Sequence, residues 1–502
     1  MKVVANVLRG GRLLLLMLGV FFLASCGEDG SDPIAAPGVP TGVIAAPENG
    51  AATVRWIPVS EATAYHLYIA SEPGVTKENH RLLNDGKKRA GITSPFTVTG
   101  LANGTTYYYV VTAENSGGES AETAELRITP APPAPVHAIA AGGTHTVVVK
   151  TNGMVWTWGR NEAGQIGDGT TVRRSAPVQV NGLTGVADVA AGLDHTLALR
   201  DDGTVWAWGK NNFGQVGDVA TANALYPAQV SGLTGVSEIA GGRNHSIALK
   251  DGKVWTWGDN SSGQLGNGSS CLPSVPLCQS AAPVQVSGLI DVIAIAGGGF
   301  HSVALKRDGT VWFWGDNRHA QFDTAAQNQL TPVQVLECTT VNGLTQCVPL
   351  SGVTAIAAGA FHTVALKEDG TVWTWGSNGS GQLGNGTDAD QPNPAAVAGL
   401  AGVIAVTAGE GHTIVVKQDK TVMAWGDFLF GRFIDGVTVR HLSPVLIDRF
   451  PDVEAAAAGG FHAAALKSDG SVWTWGDNFT GQLGNGTTSD RFTPVQVLAP
   501  VS

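Results

Sequence analysis

Seven histidines occupy matched places in the chain: His145, His195, His245, His301, His362, His412 and His462. Imidazole is the side chain best suited to proton transfer and to metal ligation near neutral pH, so such a set invites both readings. The surroundings argue against each. The spacings are 50, 50, 56, 61, 50 and 50 residues. No His-x-x-x-His pair occurs, and no carboxylate partner recurs beside the histidines. One histidine per copy of a repeat implies seven equivalent niches, not one shared centre. Each is expected to hydrogen-bond main chain in its own turn.

Other catalytic patterns are missing. The sequence has no nucleophile elbow and no His-Glu-x-x-His stretch, and no carboxylate pair stands out as a hydrolytic site. The recurrent Gly-Gln-Leu-Gly lacks the lysine and the strand-to-helix setting of a phosphate loop, so its glutamine is expected to tie off loop amides instead. The reading is a non-enzymatic protein with no cofactor and no metal. The net charge of −11 becomes −14 without residues 1–25, which hold Lys2, Arg9, Arg12 and no acid. An acidic surface gains nothing from phosphate neutralisation, which excludes nucleic acid as the expected partner.

The five cysteines divide into one and two pairs. Cys26 ends the stretch Leu23-Ala-Ser-Cys after the apolar run Leu13–Leu23, which is too short for a permanent transmembrane helix and suits a signal peptide. This resembles the lipobox of bacterial lipoproteins, whose cysteine is acylated and becomes the new N-terminus. The resemblance implies a lipid anchor at Cys26 in a bacterial cell envelope. Gly27 in place of the family's Asp retention signal favours an outer membrane over an inner one. In that oxidising setting Cys271 with Cys278, and Cys338 with Cys347, are expected to form two local disulfides that stiffen inserted loops.

The histidines belong to a block of about fifty residues repeated seven times, and a period of that size marks an array of supersecondary units. Each copy holds four β-like runs, a to d; in the first copy these are Val136–Ala141, Thr146–Lys150, Val155–Trp158 and Pro177–Val180. An Asp-Gly or Asn-Gly pair sits between b and c, as a tight hairpin needs, except at Asp419-Lys420. Thirteen of the fourteen tryptophans lie in the Trp-x-Trp-Gly runs, where positions i and i+2 share a strand face and are expected to pack between neighbouring units. Four antiparallel strands in each of seven units predict an all-β fold, a seven-bladed β-propeller. The order Gly-x-x-His, Leu-Lys-x-Asp-Gly-x-Val-Trp-x-Trp-Gly, Gly-Gln-Leu-Gly, Pro-Val-x-Val resembles the regulator of chromosome condensation repeat, in the style of bacterial secreted members, among them a protein inhibitor of β-lactamases.

Ahead of the repeats, residues 1–25 read as a signal peptide and 26–39 as a flexible tether. Residues 40–129 carry short alternating runs suited to a seven-stranded sandwich. With Trp56 at the core position and Leu101-Ala-Asn-Gly-Thr-Thr-Tyr107 matching a tyrosine corner, this segment resembles a fibronectin type III domain, which implies a spacer or a weak adhesive module. Residues 130–135 form a proline-rich linker, a semi-rigid rod of roughly 20 Å from Thr129. The propeller is expected to fill 136–502.

Antiparallel order sends the a–b and c–d loops to one face of the ring. That face gathers Phe300, Phe361 and Phe461 before their histidines, and Phe213, Phe428, Phe430, Phe433 and Phe479 in c–d loops. Aromatic side chains concentrated on one surface are common interface anchors. The expectation is a monomeric, lipid-anchored envelope protein that binds a protein partner through this face. Three alternatives stay open: a binder of a cell-wall enzyme or β-lactamase, a guanine-nucleotide exchange regulator of a GTPase, and a carbohydrate-binding module. Copies four (Asn317–Phe322) and six (Asp427–Phe433) depart most from the repeat. Simultaneous Phe428→Ala, Phe430→Ala and Phe433→Ala is expected to weaken capture of a partner from envelope extract without lowering the melting temperature; unchanged capture would remove copy six from the binding surface.

Overall fold

The computed structural model describes residues 34–48, 50–130, 135–218, 222–269, 278–319, 327–341, 344–427 and 440–498. These fall in two compact units that divide after Pro133.

In the first unit, a sheet of strands Thr41–Glu48, Ala51–Ile57 and Phe96–Thr99 faces a second sheet built on Ala64–Ala70, Lys87–Ile92 and Tyr107–Asn115, with the short Gly118–Glu119 and Leu126–Ile128. The two-residue strand makes eight where seven were expected. Trp56 lies in the core with its ring 5.3 Å from that of Tyr65. The Ala102 amide donates to the Tyr107 hydroxyl at 3.0 Å, which is the tyrosine corner predicted from the sequence.

Among the described residues the second unit holds seven four-stranded antiparallel sheets and one two-stranded hairpin. In blade 1 the strands are a, Val136–Ala141; b, His145–Lys150; c, Val155–Gly159; and d, Arg174–Gln179, so d begins three residues before the sequence suggests. The same a-b-c-d order recurs in every blade, and the a strands contact one another around a central channel. The ring closes where Val453–Ala458 meets Val136–Ala141, with the Gly460 amide donating to Gly142 O at 3.0 Å. Each repeat is therefore its own blade, and no strand is exchanged to close the circle.

The core lies between blades. Val147, Val149 and Val155 of blade 1 pack against Val186, Val189, Ala198 and Trp208 of blade 2, and similar clusters fill further interfaces. A fully buried tryptophan such as Trp208 removes on the order of 200 Å² from water, an upper bound of about 5 kcal/mol of stabilisation. The b–c hairpins divide by length. In blade 3 both Asp251 (φ 51°) and Gly252 (φ 70°) adopt the left-handed conformation of a two-residue turn, whereas Gly203 (φ 74°) does so without Asp202. Lys420 takes this conformation with a side chain (φ 61°), the costlier turn expected of copy six.

The first glycine of each Gly-x-x-His turn is where neighbouring blades approach most closely. A Cβ on Gly192 would press on the His195 ring and stand 2.5 Å from Gly242 O. Gly192→Ala is expected to lower the unfolding free energy by roughly 2–4 kcal/mol, seen as a fall in melting temperature. Gly379→Ala, where a Cβ meets nothing within 4 Å, is the control and should stay within about 0.5 kcal/mol of the parent.

Candidate functional site

The seven histidines are fully buried, one per blade, and six of them face a hydroxyl of the next blade instead of their own turn. His145 Nε2 stands 2.9 Å from Thr196 Oγ1 of blade 2, and Thr196 Oγ1 stands 2.9 Å from Gln165 O of blade 1. A hydroxyl has one hydrogen. Spent on the carbonyl, it leaves the oxygen to accept from imidazole, so His145 carries its proton on Nε2. Trp208 Nε1–H donates to the same Gln165 O at 2.9 Å, filling its second lone pair. This four-residue latch recurs as His195–Ser246–Gln215–Trp257, His245–Ser302–Gln264–Trp314, His362–Thr413–Gln382–Trp425 and, closing the ring, His462–Thr146–Gln482–Trp158. His301 faces Thr363 at 3.4 Å. After His462, Ala463 replaces the hydroxyl residue, and Phe450 fills that interface with its ring centroid 5.8 Å from Trp475.

The glutamine side chains tie off their own loops as expected: Gln165 Oε1 accepts the Ala163 amide at 3.0 Å, and Gln215 Oε1 that of Phe213 at 2.9 Å. The expectation that the histidines bond turn backbone is thus corrected. Their partner lies about one repeat further along, in the next blade. Among the described residues no group of three or more His, Cys, Asp and Glu could hold a metal ion.

The a–b turn and the start of the c–d loop share one face in every blade, joined by bonds such as Arg160 N–H to Thr144 O and Asp477 N–H to Phe461 O, both 2.9 Å. Around the channel mouth on this face, Arg243 reaches Glu410 (3.6 Å) and lies over the Phe300 ring (5.6 Å). Phe300 stacks on Phe361 (5.9 Å), and Phe361 meets His319 (4.7 Å). Phe300 and Phe361 are half-buried, as is Phe213. The channel behind the mouth is a cavity of about 90 Å³ lined mostly by glycine and alanine.

A larger cleft, about 620 Å³, opens where blade 7 meets blade 1. Phe461 and Phe479 line it with Arg160, Arg173, Asp477 and Asp490. Phe479 is 71% exposed, and the Arg173 guanidinium lies 5.6 Å from its ring centre. Burial would raise the Glu162 carboxyl, but hydrogen bonds and charge from Arg160 and Arg173 hold it below the ordinary carboxylate range. Asp477 is shifted the other way, upward, by burial and by the Asp490 carboxylate beside it. The wall is thus aromatic, cationic on one side and anionic on the other.

Phe428, Phe430, Phe433, Cys26 and Cys271 lie outside the described residues. Cys278 is disulfide-bonded, and Cys338 is joined to Cys347 with an S–S distance of 2.02 Å. Sequence reading missed Arg160, Arg173, Asp477, Asp490, Arg243 and Glu410. Their signal was charge at c–d and a–b positions that vary from copy to copy.

Against known proteins, a family model described as the RCC1-like domain matches residues 102–345 and 277–501, and the fibronectin type III domain model matches 38–129. The chain is 30% identical over 121 residues, 24% of its length, to the RCC1 domain-containing protein RUG3, mitochondrial, of Arabidopsis thaliana, and covers 25% of that protein. It is 37% identical over 119 residues, 23% of its length, to the probable E3 ubiquitin-protein ligase HERC6 of Homo sapiens, covering 11% of it. The chain therefore spans a quarter or less of these curated relatives. The fold is shared with human WBSCR16 (TM-score 0.60, 24% identity, 69% of this chain and 94% of that one). It is shared too with yeast RCC1 (Prp20), solved with bound Kap60 (TM-score 0.58, 23% identity, 70% and 85%).

Burial sets the acid sensitivity of the ring. It depresses the histidines to about 4 for His145 and His301 and to about 3 for the other five. The unfolded chain binds protons at an ordinary value near 6.5, so stability is full above that pH and is lost as pH falls toward the folded values. Each histidine contributes up to about 1.4 kcal/mol per pH unit in this window. The melting temperature is expected to fall steadily from pH 6.5 to pH 4, while the seven imidazole Cε1–H NMR signals hold neutral-form shifts as long as the chain is folded. Titration of these signals near pH 6.5 in folded protein would contradict the latch.

Proposed function

Because the chain belongs to the RCC1-like domain family, with a fibronectin type III domain ahead of its propeller, we propose that it is a non-enzymatic protein-binding module that presents its a–b/c–d face. The observation that carries this reading is the cleft between blades 7 and 1. It is concave and of mixed charge, and it offers Phe479, a large aromatic side chain that the fold leaves exposed. An exposed ring beside an arginine already held by Glu162 is a ready interface anchor, since both residue types dominate binding energy in protein contacts. The relatives support it at the level of the module: yeast RCC1 was solved with a bound protein.

The setting belongs to the same proposal. Acylation of Cys26, as the lipobox-like stretch Leu23–Cys26 implies, would tether the protein in a bacterial cell envelope, outer membrane favoured. A single acyl chain anchors only marginally, so stable attachment needs more than one. The partner would then be another envelope protein, a cell-wall enzyme or β-lactamase among the candidates. An exchange-factor role would require a cytoplasmic GTPase.

The test is capture from envelope extract with the full chain. Phe479→Ala combined with Arg173→Ala is expected to weaken capture about tenfold or more at unchanged melting temperature, and metabolic labelling with a fatty acid should mark the parent but not Cys26→Ser. Undiminished capture by the double variant would overturn the cleft; label-free parent protein in the cytoplasmic fraction would overturn the envelope.

A further inference from the structure

The blade-4 insertion is a two-stranded hairpin, Leu336–Val341 paired with Leu344–Pro349, in the connection from strand d of blade 4 to strand a of blade 5. It emerges on the side of the ring opposite the a–b/c–d face. Cys338 and Cys347, directly opposite each other in the register, are disulfide-bonded. Leu336–Val341 runs beside the outer strand of blade 5, Gln391–Ala396, and the Glu337 carboxylate lies 3.3 Å from Lys367 Nζ. Among the described residues Leu344–Pro349 pairs in a sheet with Leu336–Val341 alone, so it is an edge strand. Every second residue of an edge turns its N–H and C=O away from the partner strand, a template for another strand.

The rest of the propeller blunts its edges. Each outer strand d contains a proline: Pro177, Pro227, Pro283, Pro332, Pro394, Pro444 and Pro494. Proline removes a ladder donor and keeps foreign strands off. Leu344-Thr-Gln-Cys-Val-Pro349 has no charge, and its one proline is the last residue. Leu344 is 74% exposed and Val348 57%.

We propose that this edge is a homodimer contact, in which Leu344–Val348 pairs antiparallel with the same strand of a second copy to make a four-stranded sheet. The strand is self-complementary. A two-fold axis at Gln346 sets Leu344 of each copy opposite Val348 of the other, and no like charges face each other. For a chain of net charge −11 an uncharged edge is where two copies repel least. Apolar cross-strand pairs then supply side-chain contact beside the main-chain ladder. A contact of this size is weak and reversible in solution, and two copies fixed in one membrane plane would meet at a higher effective concentration. This inference stands apart from the reading of the a–b/c–d face.

Sedimentation velocity of the full chain across a concentration series is expected to show a monomer–dimer equilibrium. Leu344→Lys with Val348→Lys sets lysines opposite lysines and should weaken it about tenfold; Leu344→Glu with Val348→Glu should do the same. Mixing the two double variants should restore association as a heterodimer, which misfolding of either hairpin would not allow. A monomer at every concentration, a dimer that ignores both double variants, or a mixture that stays monomeric would each overturn the proposal, as would capture of an unrelated extended peptide at this edge in place of a second copy.

Discussion

One main-chain carbonyl at each of five blade interfaces organises the propeller. Gln165 O accepts from Trp208 and from Thr196, and Thr196 in turn accepts from His145, so two blades share a buried chain of hydrogen bonds. Buried polar groups cost free energy unless they are hydrogen-bonded, and a hydrogen-bonded cluster specifies geometry more sharply than apolar packing does. The repeated residues follow from this demand. Tryptophan and histidine supply the donors, serine or threonine relays, and the glycine turns allow the approach. Where the relay is lost, at Ala463, the interface also carries Phe450, packed against Trp473 and Trp475.

The fold was legible because its signals are local. Glycines between b and c, the Trp-x-Trp alternation and a period near fifty are properties of single repeats, and together they specify strands, hairpins and the number of blades. The histidine's bond was not legible in the same way, because its partner belongs to the next copy. Reading one repeat at a time conceals the offset that brings His145 to Thr196, although the hydroxyl that follows six of the seven histidines was in plain view. The blade 7–blade 1 cleft escaped for a related reason. Arg160 and Arg173 lie more than three hundred residues from Phe479, and only closure of the ring makes them neighbours.

Structure and recognition are thereby assigned to different residues. Recurring residues such as His195, Trp208 and Gln215 are buried at the interfaces, where they cannot meet a ligand. Positions that differ, such as Arg243, Phe300, Glu410 and Phe479, lie on the rim and are the ones free to change. The aromatic residues singled out from the sequence divide accordingly: Phe479 stands clear of the ring, whereas Phe300 and Phe361 lean on each other. A rim of this kind can acquire a new specificity without disturbing the latches beneath it.

Closure without strand exchange makes the circle one without a privileged start. Strands a to d of every blade come from a single stretch of chain, and the junction from His462 to Thr146 uses the same bonds as the junction from His145 to Thr196. Cutting at any connection between d and the next a would leave seven whole sheets. The order of copies along the polypeptide is then a matter of ancestry rather than architecture: a rotated gene, with its ends rejoined elsewhere, would encode the same ring.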